Sequence, residues 1–515
     1  MLRFEDWALR LHPKDDVAVL KRGLTAGQEL GNETFRLSAR TSIPPGHKIA
    51  LLVIADGQPV RKYGQIIGFA QGAIAPGDHV HTHNLVMKDF GRDYRFCEDT
   101  RPVDYYPPEQ MRYFQGFTRS GSRVGTRNYL AVVSSVNCSA SVSRYVAERF
   151  KGPDLRRDFP HVDGVVAFTH KSGCAMQPTD PHCLLQRVLA GLARHPNIAG
   201  YVMIGLGCEV NQVSVLVRNH RLDALEPGEL PPTFLNIQNI GGVQKTVEAG
   251  AAAVAKLLPI ANGMRRTSQP ISKLILAENC GGSDGNSGIT ANPALGEASD
   301  ELVRYGGTSV LAETPEIYGA EHLLTRRAVT REVGERLVQL IRWWENHVRQ
   351  FGATIDNNPT VGNKEGGLTT IYEKSLGAVA KGGQSPLAAV YHYAEPILTS
   401  GFCFMDTPGY DPVSMTGLVT GGCNIGVFTT GRGSVYGCKP APCIKAATHT
   451  PLFQHMEDDM DFNAGTILDG TETVRQAGLR LFEKILSVAG GERTKSELAG
   501  IGDEEFAPWM LGPTF

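Results

Sequence analysis

Four segments of this chain follow one plan: a short apolar, β-branched run stops at a small turn that carries a cysteine. LAVVSSVNC ends at Cys138, VDGVVAFTHKSGC ends at Cys174, YVMIGLGCE carries Cys208, and KLILAENCGGSDG carries Cys280. Apolar runs of this length, bounded by Gly and polar residues, read as buried strands of a parallel sheet. Parallel strands need helical crossovers, so the theme constrains the chain to an α/β fold. In open α/β sheets ligands sit beyond the carboxyl ends of the strands. The four thiols are therefore expected at one edge of one sheet, at an active site and against a metal.

At 515 residues the chain exceeds what one core supports, so two to four domains are expected. A net charge of -2 gives no sign of a nucleic-acid surface or an acidic tail. No apolar run reaches the ~18 residues of a membrane span, and MLRFEDWALRLHPKDD has no signal-peptide core. The ten cysteines then imply a reducing, cytoplasmic setting, where they are buried, catalytic or metal-bound rather than paired. The expected partner is a small molecule, with neither nucleic acid nor membrane. A homo-oligomer is open, because Trp343 and Trp344 sit in one helix that packs at an interface or in the core.

Along the chain, residues 1–90 read as a small β domain of short strands separated by PPG and APGD turns. Residues 91–118, charged, aromatic and Pro-containing, read as a linker. Residues 119–355 alternate strand and helix, which predicts a doubly wound α/β domain. Residues 356–515 read as a second, Gly-rich α/β region.

Several motifs carry candidate chemistry. In DHVHTHN a strand would place His79, His81 and His83 on one face, where three imidazoles suit a divalent metal. The bland reading is a solvated face. His47-Lys48 and Lys62-Tyr63 lie in the same small domain and suggest a face that contacts the larger one. A single Cys is often just a small hydrophobe, and no Cys spacing matches a zinc knuckle or a ferredoxin run. A thiolate metal site would thus be assembled from distant segments, and soft thiolates favour iron, including an iron–sulfur cluster, over magnesium. The turn Gly281-Gly282-Ser283-Asp284, running on to Asn292, offers backbone amides to a carboxylate, or is simply a capped strand–helix turn. Asn363-Lys364 and Thr430-Gly431-Arg432 are similar loops, each with one cation. No P-loop and no dinucleotide fingerprint is present, so these loops suit a small carboxylate or polyanion.

These motifs together resemble the altronate/galactarate dehydratase family of sugar-acid hydro-lyases, to which sulfolactate sulfo-lyase is related. GHKIAL, KYGQIIGFA and GDHVHTHN are similar to the family's N-terminal SAF-type (β-clip) domain. VGTRN, GLGCE, NCGGSDGNSGITANP, GNKEGG, TTGRGSVYG and DFNAG are similar to its catalytic regions. The His run and Tyr318-Gly319-Ala320-Glu321 look closer to the altronate branch, whereas His392 to Asp411 departs from it. The resemblance implies a small SAF domain, two Rossmann-like α/β regions, Fe(II) or Mn(II), and dehydration to a 2-keto-3-deoxy acid. From the residue types and their loops, Gly281, Gly282, Ser283, Asp284, Asn292, Asn363, Lys364, Thr430 and Arg432 are the candidates to hold substrate. His47, Lys48, Lys62 and Tyr63 are the candidates for proton transfer. The metal is held by His79, His81 and His83, or alternatively by Cys138, Cys174, Cys208 and Cys280. A carbon–sulfur lyase and a sugar-acid-binding regulator remain the alternatives.

Overall fold

A computed structural model describes residues 1–33 and 35–514. The N-terminal domain is built from short strands, because Pro and Gly turns interrupt the chain every few residues. One antiparallel sheet runs Ala8–Leu9, Val17–Leu20, Lys48–Ala50, His79–Val80. A second pairs Leu85–Val86, Gln65–Ala70 and Pro59–Lys62. Its apolar residues Val17, Ala50, Val60, Ile67 and Val80 form one buried cluster with Ile371, Tyr372 and Leu376 from far along the chain. The domain is thus docked on the C-terminal domain by shared hydrophobic surface.

The middle domain is a four-stranded parallel sheet in the order Gly164–Phe168, Tyr129–Ser134, Ile198–Gly205, Thr233–Asn236. Alternate residues of its central strand serve two cores. Tyr129, Ala131 and Val133 pack on one face, and Leu130 and Val132 on the other. Such two-faced burial is why the run reads as continuously apolar.

The C-terminal domain holds a seven-stranded parallel sheet. Its order is Leu387–Tyr391, Gly401–Met405, Thr308–Leu311, Ile275–Cys280, Ile425–Thr430, Cys443–Ala447, Phe462–Asn463. The expected division at residue 355 falls inside this sheet and is corrected. The helix Arg331–Gln350 does not close a domain, since its Leu337, Leu340 and Ile341 pack with Phe402 and Phe404 of a later strand. The true exchange lies where Arg266–Pro270 pairs antiparallel with Tyr113–Thr118, joining the chain's way into the middle domain to its way out.

The stretch expected to be a linker is anchored. Arg92 donates to Glu321 (2.8 Å) and Glu345 (2.6 Å), and Tyr94 Oη donates to Glu321 (2.6 Å). Trp344 belongs to the core: it is fully buried, stacks on Trp509 and donates to Asp406 Oδ1 at 2.8 Å. Among the described residues no helix is long and apolar enough to cross a membrane.

Candidate active site between the N-terminal and C-terminal domains

The strand Ile275–Cys280 enters the seven-stranded sheet first. The chain then builds outward on one side through Thr308–Leu311, and later returns to the other side with Ile425–Thr430. The carboxyl end between first strand and returning strand is a topological switch point, the place where open α/β sheets bind ligands. Two Gly-rich loops meet there. Gly281 N donates to Thr429 O (3.1 Å), and the amides of Gly431 and Arg432 donate to Gly282 O (3.0 and 2.8 Å). Asp284 is held by Asn286 Nδ2 (3.1 Å), Ser287 Oγ (3.0 Å) and Thr448 Oγ1 (3.2 Å). The loops are so close that a Cβ on Gly431 would fall 2.1 Å from Asp284 Cγ. Asn292 ties neighbours together, donating to Gly377 O and accepting from Thr429 Oγ1.

A third loop follows the helix Val361–Glu365, which Thr360 and Asn363 close with reciprocal capping bonds. Asn363 Nδ2 donates to Ser283 O (2.8 Å), and Gly285 N donates to Gly366 O (2.8 Å). Arg432 reaches Glu365 at 3.3 Å. The expected substrate residues Gly281 to Asp284, Asn292, Asn363, Lys364, Thr430 and Arg432 therefore share one neighbourhood. Within it, Asp284, Asn292 and Asn363 hold the loops, while Arg432 and Lys364 retain exposed surface.

The N-terminal domain lays its histidines on this third loop. His47 Nε2 faces Glu365 O at 3.0 Å, and His81 Nε2 faces Lys364 O at 2.8 Å. Each carbonyl needs a donor, so each of these nitrogens carries the proton and each Nδ1 is left bare. His47 Nδ1 lies 3.0 Å from His79 Nε2, and the His47 and His81 rings stack at 4.9 Å. Nδ1 of His81 accepts from Thr82 N at 2.7 Å. One nitrogen from each of His47, His79 and His81 lies within 4.8 Å of the others. The strand stops at Val80 and the chain turns, so His83 is exposed, its ring 5.6 Å from that of His79, and it is His47 that completes the close set with His79 and His81. Burial, then the repulsion of neighbouring cationic groups, pushes His79 down to about 3. Burial also lowers His81, to about 4. Both rings are neutral near pH 7, with lone pairs ready for a metal.

Lys48 and Lys62 are fully buried and grip opposite oxygens of buried Glu373, at 2.8 and 2.9 Å. Lys48 Nζ also donates to Gly367 O (2.6 Å). Glu373 further accepts from Thr369 N (3.0 Å) and Oγ1 (2.6 Å). Burial works against its charge, but the two ammoniums and these hydrogen bonds hold the carboxyl far below its ordinary range. Two ammoniums share one negative charge, so one of them yields its proton early. Burial lowers Lys48 to about 8, while Glu373 keeps Lys62 above its ordinary value. Sealed from solvent, the two lysines clamp the domains together, and the burial that lowers Lys48 is the condition its expected role in proton transfer requires. Tyr63 adopts φ 61° beside this clamp, its ring 4.8 Å from Lys62 Nζ. Burial raises its hydroxyl above the ordinary value.

The sequence reading missed a second polar nest behind Gly281. Lys381 Nζ donates to Cys280 Sγ (2.9 Å) and to Glu313 Oε2 (3.1 Å), and Cys280 Sγ donates to Glu316 Oε2 (3.3 Å). Lys374 Nζ donates to Glu316 Oε1 (2.5 Å). Glu313 is a non-glycine residue at φ 70°, and its Oε1 is buried without a partner. Burial, then Glu316, pushes the Glu313 carboxyl up to about 8. Asp411 lies against Gly281, where a Cβ would meet its Oδ2 at 2.4 Å, and burial raises it to about 7. Nothing in the spacing of Glu313, Lys374, Lys381 and Asp411 singles them out in sequence. Only the fold gathers them at neighbouring strand ends.

The four-thiol site is also corrected. Cys138, Cys174 and Cys208 belong to the middle sheet and are exposed, whereas Cys280 belongs to the C-terminal sheet and is buried.

Three family profiles match the chain in order: altronate/galactarate dehydratase SAF domain over residues 6–88, D-galactarate dehydratase/altronate hydrolase second domain over 116–262, and D-galactarate/altronate dehydratase C-terminal over 271–514. The chain belongs to the altronate/galactarate dehydratase family. The profile boundaries coincide with the three bodies above, the gap after 262 falling at the antiparallel exchange strand. Within the family it is 34% identical to an altronate dehydratase of Bacillus subtilis, over 95% of this chain and 96% of that protein. It is 37% identical to a galactarate dehydratase (L-threo-forming) of Escherichia coli, over 94% and 93% respectively. The (2R)-sulfolactate sulfo-lyase subunit beta of Chromohalobacter salexigens is 30% identical, over 77% of this chain and 96% of that protein.

Proposed function

We propose that this protein is a hydro-lyase that removes water from an altronate- or galactarate-like sugar acid, giving a 2-keto-3-deoxy acid. The observation that carries the reading is the meeting of three neutral histidines with the Gly-rich loops that bear Lys364 and Arg432. The names of the relatives supply the substrate class.

The family resemblance implies Fe(II) or Mn(II), and the donor set fits it. His47 and His81 give their Nε2 protons to backbone carbonyls, the support that metal-bound imidazoles require. His47, His79 and His81 would hold the ion, with His81 exchanging its Thr82 contact. Bound there, a divalent cation would stabilise the charge that builds on a carboxylate when its α-proton leaves. Arg432 and Lys364 bind the substrate's anionic and hydroxylated part. The turn at residues 281–284, fixed by its bonds to the loop at residues 429–432, is assigned to orienting it. Asp411, poised near pH 7 against Gly281, is the group assigned to proton transfer at the departing hydroxyl.

The test is an anaerobic assay of D-altronate, galactarate, other hexonates and pentonates, and sulfolactate, with Fe(II), Mn(II) or EDTA. Formation of 2-keto-3-deoxy acid that EDTA abolishes supports the reading, and Asp411→Asn should then lower kcat with metal content unchanged. Release of sulfite from sulfolactate would move the protein to carbon–sulfur cleavage. Binding without turnover across the panel would refute the enzyme reading in favour of a sugar-acid sensor.

A further inference from the structure

The middle domain carries a group of residues that the dehydration chemistry leaves unused. Cys138, Cys174 and Cys208 follow the strands Tyr129–Ser134, Gly164–Phe168 and Ile198–Gly205, three neighbours in one parallel sheet. All three leave the sheet at its carboxyl edge, and all three are free and exposed.

Their loops are tied to one another. Asn137 N donates to Ser172 O (2.9 Å), Asn211 N donates to Gly173 O (3.0 Å), and Asn211 Nδ2 donates to Ser135 O (2.8 Å). Buried Glu209, beside Cys208, accepts from Ser135 Oγ (3.1 Å) and Gly207 N (2.5 Å). Cys174 and Cys208 are presented by the same device, each preceded by a glycine in the left-handed region: Gly173 at φ 101° and Gly207 at φ 127°. A Cβ on Gly173 would lie 2.6 Å from Ser135 O, so the approach of the first two loops depends on that glycine. Partial desolvation, then the neighbouring Cys174 and Cys208, pushes the Cys138 thiol up from its ordinary value.

Three exposed thiols held on interlocked, buried polar supports form a ready thiolate cradle. A single tetrahedral ion, with metal–sulfur bonds of about 2.3 Å, needs its sulfurs within roughly 4 Å of each other. Among the described residues, the sets whose ligand atoms all lie within 4.8 Å are His47/His79/His81 and Cys280/Glu313/Glu316, so at least one pair of these thiols stands wider. A cluster that offers a separate iron to each thiolate suits that spacing. Gln238 Nε2 donates to Cys208 Sγ at 3.3 Å, an N–H···S contact of the kind that tunes cluster sulfur. The helix Ala140–Glu148 begins just after Cys138, with its positive end toward the site.

We propose that Cys138, Cys174 and Cys208 bind an iron–sulfur cluster through three thiolates, at a site separate from the histidine centre. Each thiol releases its proton to solvent as it ligates iron. Iron and sulfide come from outside, the iron supplied as ferric and ferrous ions in the ratio the cluster holds, so the protein itself transfers no electron.

The experiment is anaerobic reconstitution of the full chain with ferric and ferrous iron, sulfide and a thiol to solubilise the iron, followed by desalting. Iron, acid-labile sulfide and visible charge-transfer absorption are then measured. The wild-type protein and His79→Ala should both retain sulfide and colour. Cys138→Ser, Cys174→Ser and Cys208→Ser should each lose both to background, while Cys183→Ser, an exposed cysteine outside the cradle, should not. Circular dichroism and the thermal midpoint of each variant separate loss of the cluster from loss of fold. A wild-type protein that binds iron or zinc without sulfide overturns the proposal. So does sulfide retained in the triple Ser variant, or a disulfide among these cysteines in protein kept anaerobic. Because His79→Ala removes the histidine centre, failure of the dehydratase reading and failure of this one register in different measurements.

Discussion

Glu373→Gln is the substitution with the most decisive consequence. It keeps the size of the side chain and one acceptor oxygen, but deletes the only negative charge that Lys48 and Lys62 share. All three groups are buried, at no more than about 1% exposure. Removing one partner of a buried ion pair costs about 3–5 kcal/mol, because the charge left behind has lost both its solvent and its counter-charge. That corresponds to a roughly 10²- to 4 × 10³-fold greater population of the opened form. The opening should be local. Lys48 and Lys62 lie on N-terminal strands and Glu373 on a C-terminal helix, so what loosens is the docking between these domains. Hydrogen exchange of the Lys48–Ala50 and Gln65–Ala70 amides, together with limited proteolysis, reads that docking directly. Dehydratase activity should fall in parallel, since His47 and His81 lose their carbonyl anchors. Combining Lys48→Met, Lys62→Met and Glu373→Leu should recover most of the protection, because an apolar replacement leaves no unpaired charge. Exchange in Glu373→Gln within about 1 kcal/mol of wild type at pH 7 would refute the clamp.

Other predictions test the remaining parts of the site. His79→Ala and His47→Ala should each reduce bound Fe(II) or Mn(II) by 10-fold or more, by analogy with losses of about 10- to 100-fold on removing mere supporting contacts. His83→Ala should leave metal content unchanged. Because His79 and His81 stand near 3 and 4 in the folded chain, against about 6.5 when unfolded, the unfolded chain binds more protons between those values. Stability, followed by urea unfolding from pH 7 down to pH 4, should therefore fall with pH over that window. A flat profile in wild type that matches a His79→Ala/His81→Ala double variant would contradict the burial argument. Gly431→Ala should force the Gly282 and Arg432 loops apart, since Asp284 is held from three sides. A displacement of about 1 Å at such a loop can cost 10²-fold in rate, so kcat/KM should drop while metal content stays constant.

Much of the fold was legible in sequence. The apolar runs ending in Cys138, Cys174, Cys208 and Cys280 are all parallel strands, as their β-branched content and bounding turns imply. Their grouping was not legible, because a parallel strand looks alike whichever sheet it joins, and only helix packing separates the middle sheet from the C-terminal one. The helix Arg331–Gln350 reads as a terminus because it is long and amphipathic, yet its apolar stripe faces strands that come later. In the site, the loops bearing Gly281, Lys364 and Arg432 were visible as clustered glycines with a cation. His83 misled because a period of two was extended past Val80, where the chain turns. For Lys48 and Lys62 the sequence gives the residue type without the burial, and the shared partner Glu373 lies about three hundred residues on. Glu313, Lys381 and Asp411 carry no local signature at all.

The histidine centre is finished by backbone carbonyls 283 and 318 residues downstream of the rings they hold. A ribosome adding about 5–20 residues per second takes roughly a quarter of a minute to a minute to cover that distance. Throughout that interval the N-terminal domain has emerged, but the carbonyls that set the tautomers of His47 and His81 do not yet exist. The histidines are therefore set only after Glu365 has been added, and a chain cut short before Lys364 carries the rings without the carbonyls that fix their tautomers.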